Sequence, residues 1–183
     1  MALRLFIIFC LNFVIFASCK NHDQAQIAQL IKEWRGKKVI FPNNPIFITA
    51  NGDTINFPIA KNQNKILIYI DSAGCTSCKL QLGQWKNFIS YIDSTTDNAI
   101  TFLFFIHTKN YQDLRYLLKQ NSFKYPISIN TRDSLNILNQ FPNRILFQTF
   151  LLNEKDEIEI IGNPIHNTNL KDLYIKLIKK RYQ

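Results

Sequence analysis

Four cysteines are the residues of this chain best equipped to do chemistry, and they fall into two pairs of different kinds. Cys10 and Cys19 lie in and just after a hydrophobic N-terminal run, whereas Cys75 and Cys78 lie in the body of the chain. Gly74-Cys75-Thr76-Ser77-Cys78 is a Cys-x-x-Cys that follows a strand-like run and precedes a helix-like one. The thiolate is the reactive form of cysteine, and the unpaired N–H groups and dipole of a helix N-terminus favour it. Two intervening residues bring both sulfurs to one end of the first helical turn, as thiol–disulfide exchange requires. A purely structural disulfide is the bland alternative, but so short a loop stabilises little. Zinc needs four ligands, and the body offers only this pair with His22, His107 and His166. Copper held by two thiolates and a histidine is chemically permitted and less favoured. The expectation is therefore a dithiol centre with no metal and no cofactor.

The elements around the pair follow from hydrophobic periodicity. Ile27, Leu30, Ile31 and Trp34 stand at i, i+3, i+4 and i+7, one face of a helix that Gly36 ends. Lys38 to Phe41 is a short strand candidate stopped by Pro42. Ile46 to Ala50 and Asp53 to Phe57 flank Asn51-Gly52, a strong hairpin signal. Lys65 to Ile70 and Ile100 to Ile106 are apolar runs suited to central strands buried on both faces. Leu80, Leu82, Trp85, Phe88, Ile89 and Ile92 form the stripe of a long helix between them. Residues 110–120 are predicted helical, Pro126 to Ile129 a short strand, and 132–139 a short helix. Ile145 to Leu152 and Glu157 to Ile161 flank a polar turn as an antiparallel hairpin, and Leu170 to Lys180 closes the chain as a helix. No repeat or linker divides this body.

The N-terminus reads as a sorting signal. A short basic start leads into the apolar run Leu5 to Phe16, and Ala17-Ser18 supplies small residues before Cys19. The run is short for a membrane span. Phe16-Ala17-Ser18-Cys19 resembles the bacterial lipoprotein signal, which implies a lipid on Cys19 and stable anchoring by several acyl chains. The expected organisation is a signal peptide over 1–18, a tether and N-terminal helix over 19–36, and one domain over 37–183. Net charge is +9, yet the basic residues are spread along the chain and cluster only at Lys176, Lys179, Lys180 and Arg181 on the last helix. That favours a solvated face over a nucleic-acid surface, with weak attraction to anionic lipid heads as a secondary expectation.

Strand–helix–strand, a helical connection and hairpin–helix, with Cys-x-x-Cys at the first strand-to-helix junction, resembles the thioredoxin fold. The extra N-terminal hairpin and the helical insertion look like the membrane-tethered bacterial thiol–disulfide proteins related to peroxiredoxins, over roughly residues 37–181. The resemblance implies an α/β domain with a central mixed sheet flanked by helices and an N-terminal β-hairpin extension. It implies that Cys75 attacks a partner disulfide and Cys78 resolves the mixed disulfide. It also implies a substrate groove formed by Gly74, Gln148, Thr149 and Gly162. The C-terminal hairpin must return towards the cysteines, which places His166 on the rim to stabilise the Cys75 thiolate or contact a partner, although an ordinary surface-loop role is favoured.

Several positions depart from the pattern. Thr76-Ser77 lacks the frequent proline, Gly74 replaces a tryptophan, and Tyr69 stands where thioredoxins proper keep a buried acid. Gln148 occupies the place of the family's cis-proline, so a trans Phe147–Gln148 bond is expected. Asp71 is read as a solvated carboxylate at the strand end rather than a proton-transfer group, and His107 as a core-edge residue. The peroxidase pattern fails, because Ile68 stands where its proline belongs. The expected function is envelope-located exchange with exported proteins, as a reductant supplied by a dithiol partner, anchored in a bacterial membrane and facing the periplasm. The alternative is a non-catalytic protein- or peptide-binding lipoprotein.

Overall fold

A computed structural model describes residues 23–73 and 75–182. The expected signal peptide, with Cys10 and Cys19, lies outside the described residues, as does Gly74. The chain divides into two compact units, Met1–Arg35 and Gly36–Gln183. In the first, residues 23–34 form helix α1, with Gln29 Nε2 donating to Glu33 Oε1 at 2.8 Å one turn on.

The second unit is built on a seven-stranded mixed sheet of β1 (Phe47–Ile48), β2 (Thr54–Ile55), β3 (Lys65–Ile70), β4 (Thr101–Ile106), β5 (Ile127–Ile129), β6 (Thr149–Leu152) and β7 (Ile158–Ile161), in the order β2-β1-β5-β4-β3-β6-β7. Its centre is β3 (Lys65–Ile70) beside β4 (Thr101–Ile106), parallel and in register from Lys65↔Thr101 to Ile70↔Ile106. Every residue of β3 is buried, because helices and loops cover both faces of the parallel pair. β5 (Ile127–Ile129) extends the parallel side. β6 (Thr149–Leu152) runs antiparallel to β3, and β7 (Ile158–Ile161) pairs antiparallel with β6. On one face Ile66, Ile68, Ile70 and Phe104 pack with Trp85, Phe88, Leu114 and Tyr174 of the helices. Phe104 stands edge-on to both Trp85 and Phe123. On the other face Phe105 meets Phe41 and Phe47, and Phe141 meets Tyr69 and Phe150. The helices are α2 (Thr76–Leu80), α3 (Leu82–Thr96), α4 (Tyr111–Gln120), α5 (Ser134–Asn139) and α6 (Thr168–Tyr182).

Four local expectations change. The long helix after the cysteines is two helices, because Gln81 adopts a left-handed conformation (φ 40°, ψ 51°) between α2 and α3. The N-terminal hairpin keeps only β1 (Phe47–Ile48) and β2 (Thr54–Ile55). Pro45 and Pro58, which lack the N–H a ladder needs, stand just beyond it. Lys38 to Phe41 makes one isolated bridge, Lys38↔Glu157, rather than a strand. Ile145–Phe147 is a 3-10 turn, so β6 begins only at Thr149.

Candidate functional site

The site begins where β3 ends. Asp71 Oδ1 accepts from the Ala73 N–H at 2.9 Å, an Asx-type turn that bends the chain towards the cysteines. Cys75 then serves as N-cap of α2 in an extended conformation (φ −82°, ψ 107°), its Sγ accepting from the Cys78 N–H at 3.3 Å. Cys75 and Cys78 are joined in a disulfide with their Cα atoms 5.4 Å apart, and both are exposed. The Ser77 hydroxyl lies 3.1 Å from the Cys75 sulfur. Leu80, 1% exposed, pins the end of α2 into the core before the break at Gln81. A recess of about 310 Å³ between Ser77, Leu80, Gln84 and Leu117 opens beside this short helix.

Beside the cysteine loop lies an interlock of three side chains. Lys79 of α2 is ion-paired with Asp71 Oδ1, and Gln148 Nε2 donates to Asp71 Oδ2 at 2.8 Å. The same Gln148 nitrogen reaches the Pro142 carbonyl at 3.1 Å, while the Gln148 carbonyl accepts from the Tyr69 N–H at 2.9 Å. Burial alone would raise the Asp71 carboxyl. The hydrogen bonds from Lys79, Gln148 and the Ala73 amide, with the charge of Lys79, outweigh it and hold the group below the usual carboxylate range. Asp71 is thus a held, charged member of the site rather than a solvated strand-end carboxylate. Its partners stand 8 and 77 residues away, beyond local pattern reading.

Gln148 is 2% exposed, so at this position the expected groove wall is sealed into the protein. No cis peptide bond occurs among the described residues, Phe147–Gln148 included. Thr149 is 1% exposed and pairs with Ile68. Its carbonyl accepts from the Gly162 N–H at 2.8 Å, which brings Gly162 to the same end of the sheet. Gly162 has φ +124°, and an added Cβ would come 2.7 Å from Leu170 Cδ2, so only glycine fits there. Its carbonyl accepts from the buried Tyr174 hydroxyl at 3.0 Å. The structure therefore brings Cys75, Cys78, Gln148, Thr149 and Gly162 to the carboxyl end of β3. His166 is exposed and lines a separate recess of about 320 Å³ with Gln84, Asn87, Phe88 and Lys171, which neither cysteine borders.

Tyr69 stands where a buried acid was sought. Its hydroxyl donates to both carboxylate oxygens of Asp133 at 2.9 Å, so the phenol meets a partly exposed carboxylate at the start of α5 in place of a buried acid. Burial, then the hydrogen bond and charge of Asp133, then the charge of Asp71, push the phenol pKa up and keep it protonated. His107 is half-buried at the end of β4, with Nδ1 2.8 Å from the Asn130 carbonyl. Among the described residues no group of three or more His, Cys, Asp or Glu side chains is placed to hold a metal ion.

The architecture is a thioredoxin-like α/β fold with a Cys-x-x-Cys pair between the first buried parallel strand and the helix that follows. No protein-family model and no curated protein sequence matches the chain. Solved structures do. The chain is similar to a candidate thiol:disulfide interchange protein DsbE from Chlorobium tepidum (TM-score 0.56, 11% identity, covering 79% of this chain and 97% of that one). It is similar to the thioredoxin domain of a thiol-disulfide oxidoreductase from Bacteroides vulgatus (TM-score 0.55, 12% identity, 79% and 97%). It is also similar to a candidate protein disulfide isomerase from Bacteroides thetaiotaomicron (TM-score 0.55, 9% identity, 81% and 93%). At these identities the likeness is one of fold.

Proposed function

We propose that this protein exchanges thiols and disulfides with exported proteins through Cys75 and Cys78, acting as a reductant in the cell envelope. The observation that carries the reading is the exposed Cys75–Cys78 pair at the strand-to-helix junction of a thioredoxin-like fold. The Cys75 thiolate attacks a partner disulfide, forming a mixed disulfide and releasing one partner thiolate. Cys78 loses its proton to solvent and attacks the Cys75 sulfur, releasing the second partner thiolate and closing the Cys75–Cys78 bond. Two electrons pass to the partner, and a second dithiol protein restores the pair. The envelope location rests on the N-terminal sequence: a basic start, an apolar run and a small-residue site before Cys19. A mature N-terminus carrying no lipid on Cys19, found by mass spectrometry, would remove the membrane anchor from the reading.

The rival, a binding module that grips a partner in a groove at Gln148, has less support, since Gln148 is 2% exposed and committed to Asp71 and Pro142. The two readings part on one measurement, thiol trapping of the full chain in graded glutathione or dithiothreitol buffers. Exchange predicts a reversible two-electron transition that Cys75→Ala abolishes, with a midpoint low enough to reduce exported disulfides. Thiols that neither oxidise nor trap would sink the exchange reading.

A further inference from the structure

Two hydrogen-bond donors converge on the Cys75 sulfur, and they differ in kind. The Cys78 amide, at 3.3 Å, follows from helix geometry and belongs to any N-cap cysteine at this spacing. The Ser77 hydroxyl, at 3.1 Å, is supplied by a side chain and is particular to this sequence. In the disulfide the Cys75 sulfur carries no hydrogen, so the hydroxyl is the donor; a thiolate carries none either, so the same direction holds in the reactive state. The cation of this helix, Lys79, is spent on Asp71, and the rim histidine lines a recess that neither cysteine borders. Charge on the Cys75 sulfur is therefore met by neutral dipoles of its own loop.

We propose that Ser77 is a catalytic residue of the exchange reaction: its hydroxyl donates to the Cys75 thiolate and sets the acidity of that thiol. The inference rests on the exchange reading given above. As Cys75 attacks, its negative charge passes to the leaving sulfur of the partner, and the Ser77 hydrogen bond weakens with it. When the partner's second thiolate has left and the intramolecular disulfide has closed, the hydroxyl is back in the contact now observed. Because the bond is strongest to the thiolate, it favours the reduced form of the pair and makes the disulfide a better oxidant than the loop would be without it.

The test is the pH profile of Cys75 alkylation in the reduced full chain, resolved to the single residue by mass spectrometry, for wild type, Ser77→Ala and Ser77→Thr. A hydrogen bond to a charged group is worth enough to move the thiol midpoint by about one unit, a tenfold change in thiolate fraction. In Ser77→Ala the midpoint rises by about that amount. Below the midpoint, alkylation slows only about three- to fourfold, because the more basic thiolate is intrinsically about threefold more nucleophilic. Above the midpoint the same variant reacts about threefold faster than wild type, so the two profiles cross, which a merely loosened loop would not produce. Above the thiol midpoints of both proteins, where Cys75 is ionised in the reduced pair, the disulfide midpoint potential moves by about 30 mV to the negative for the same tenfold change. Ser77→Thr keeps the hydroxyl and keeps the wild-type profile. A Ser77→Ala profile that overlays wild type overturns the proposal, and so does a Ser77→Thr profile shifted as far as that of Ser77→Ala. Either result, beside an intact wild-type redox transition, removes the role of Ser77 and leaves the exchange reading standing.

Discussion

The two ends of β3 each carry a lysine–aspartate pair, and the pairs do different things. At the start of the strand the Lys65 side chain is 0% exposed, with Nζ bonded to Asp156 Oδ1 at 2.7 Å and to the Gln63 carbonyl at 2.9 Å. It fixes the strand to the turn between β6 and β7. At the far end Asp71 pairs with Lys79, both partners partly exposed, and a third side chain, Gln148, completes the set. This second pair ties the loop before the cysteines, the cysteine helix and the start of β6 together. The first is architecture at the end of β3 away from the cysteines. The second is the same chemistry used to hold the cysteine loop against the sheet. One chain thus shows that an ion pair takes its meaning from what it fastens.

The sharpest way to break that contrast is at the buried end. Lys65→Ala removes a fully buried stem and leaves Asp156 without its cation, and about 2–4 kcal/mol of stability is expected to go with it. Calorimetry should show the melting temperature lower by on the order of 10 °C. The redox midpoint of whatever folds should be unchanged; a shifted midpoint would mean that the two ends of β3 are coupled.

At the other end the order reverses. Asp71→Asn removes the carboxylate and frees the Lys79 ammonium beside Cys78, which favours the thiolate. The disulfide midpoint should move to less negative values by about 30 mV, a tenfold change in equilibrium constant, with Asp156→Asn giving no shift. Equal responses from the two variants would erase the distinction between the pairs.

The smallest effect lies in acid. The Asp71 carboxyl sits below its usual value, so the stability it contributes is complete above the ordinary carboxylate pKa of about 4 and is lost as pH falls through its own lower value. Denaturant melts against pH should therefore be flatter for Asp71→Asn than for wild type in that acid window only. A difference confined to neutral pH would contradict the assignment of Asp71 as a depressed, paired carboxyl.

Much of this molecule was legible because its signals are local or strictly periodic. The two apolar runs that form β3 and β4 carry polar groups only at their first residues, Lys65 and Thr101, and in the phenol of Tyr69, so neither has a wet face. The cysteine pair sat between a strand signal and a helix signal. The rest depended on partners far apart in sequence. Lys79 stands eight residues from Asp71, but a turn between strand and helix separates them and neither periodicity carries across it, and Asp133 meets the Tyr69 hydroxyl from 64 residues away. The break at Gln81 did leave a trace. Leu80 and Leu82 are two apart and cannot share one helical face, whereas Leu82, Trp85, Phe88, Ile89 and Ile92 can. Reading all six as one stripe hid the junction. The 3-10 turn at Ile145–Phe147 was invisible for another reason: its apolar residues also suit a strand, and the turn rests on a backbone bond from the Phe147 N–H to the Arg144 carbonyl at 2.9 Å that no side-chain pattern announces.

The left-handed residue at Gln81 makes the stretch from Cys75 to Leu80 a unit of backbone separate from the helix behind it, fastened to the scaffold by Lys79 and Leu80. Its backbone geometry ends there, and the packed stripe of α3 begins afresh at Leu82. Thr76 and Ser77 can therefore be swapped for other dipeptides without rewriting the scaffold behind them. On the exchange reading, a library at these two positions is expected to give a series of disulfide midpoints on one scaffold, read by the same thiol trapping.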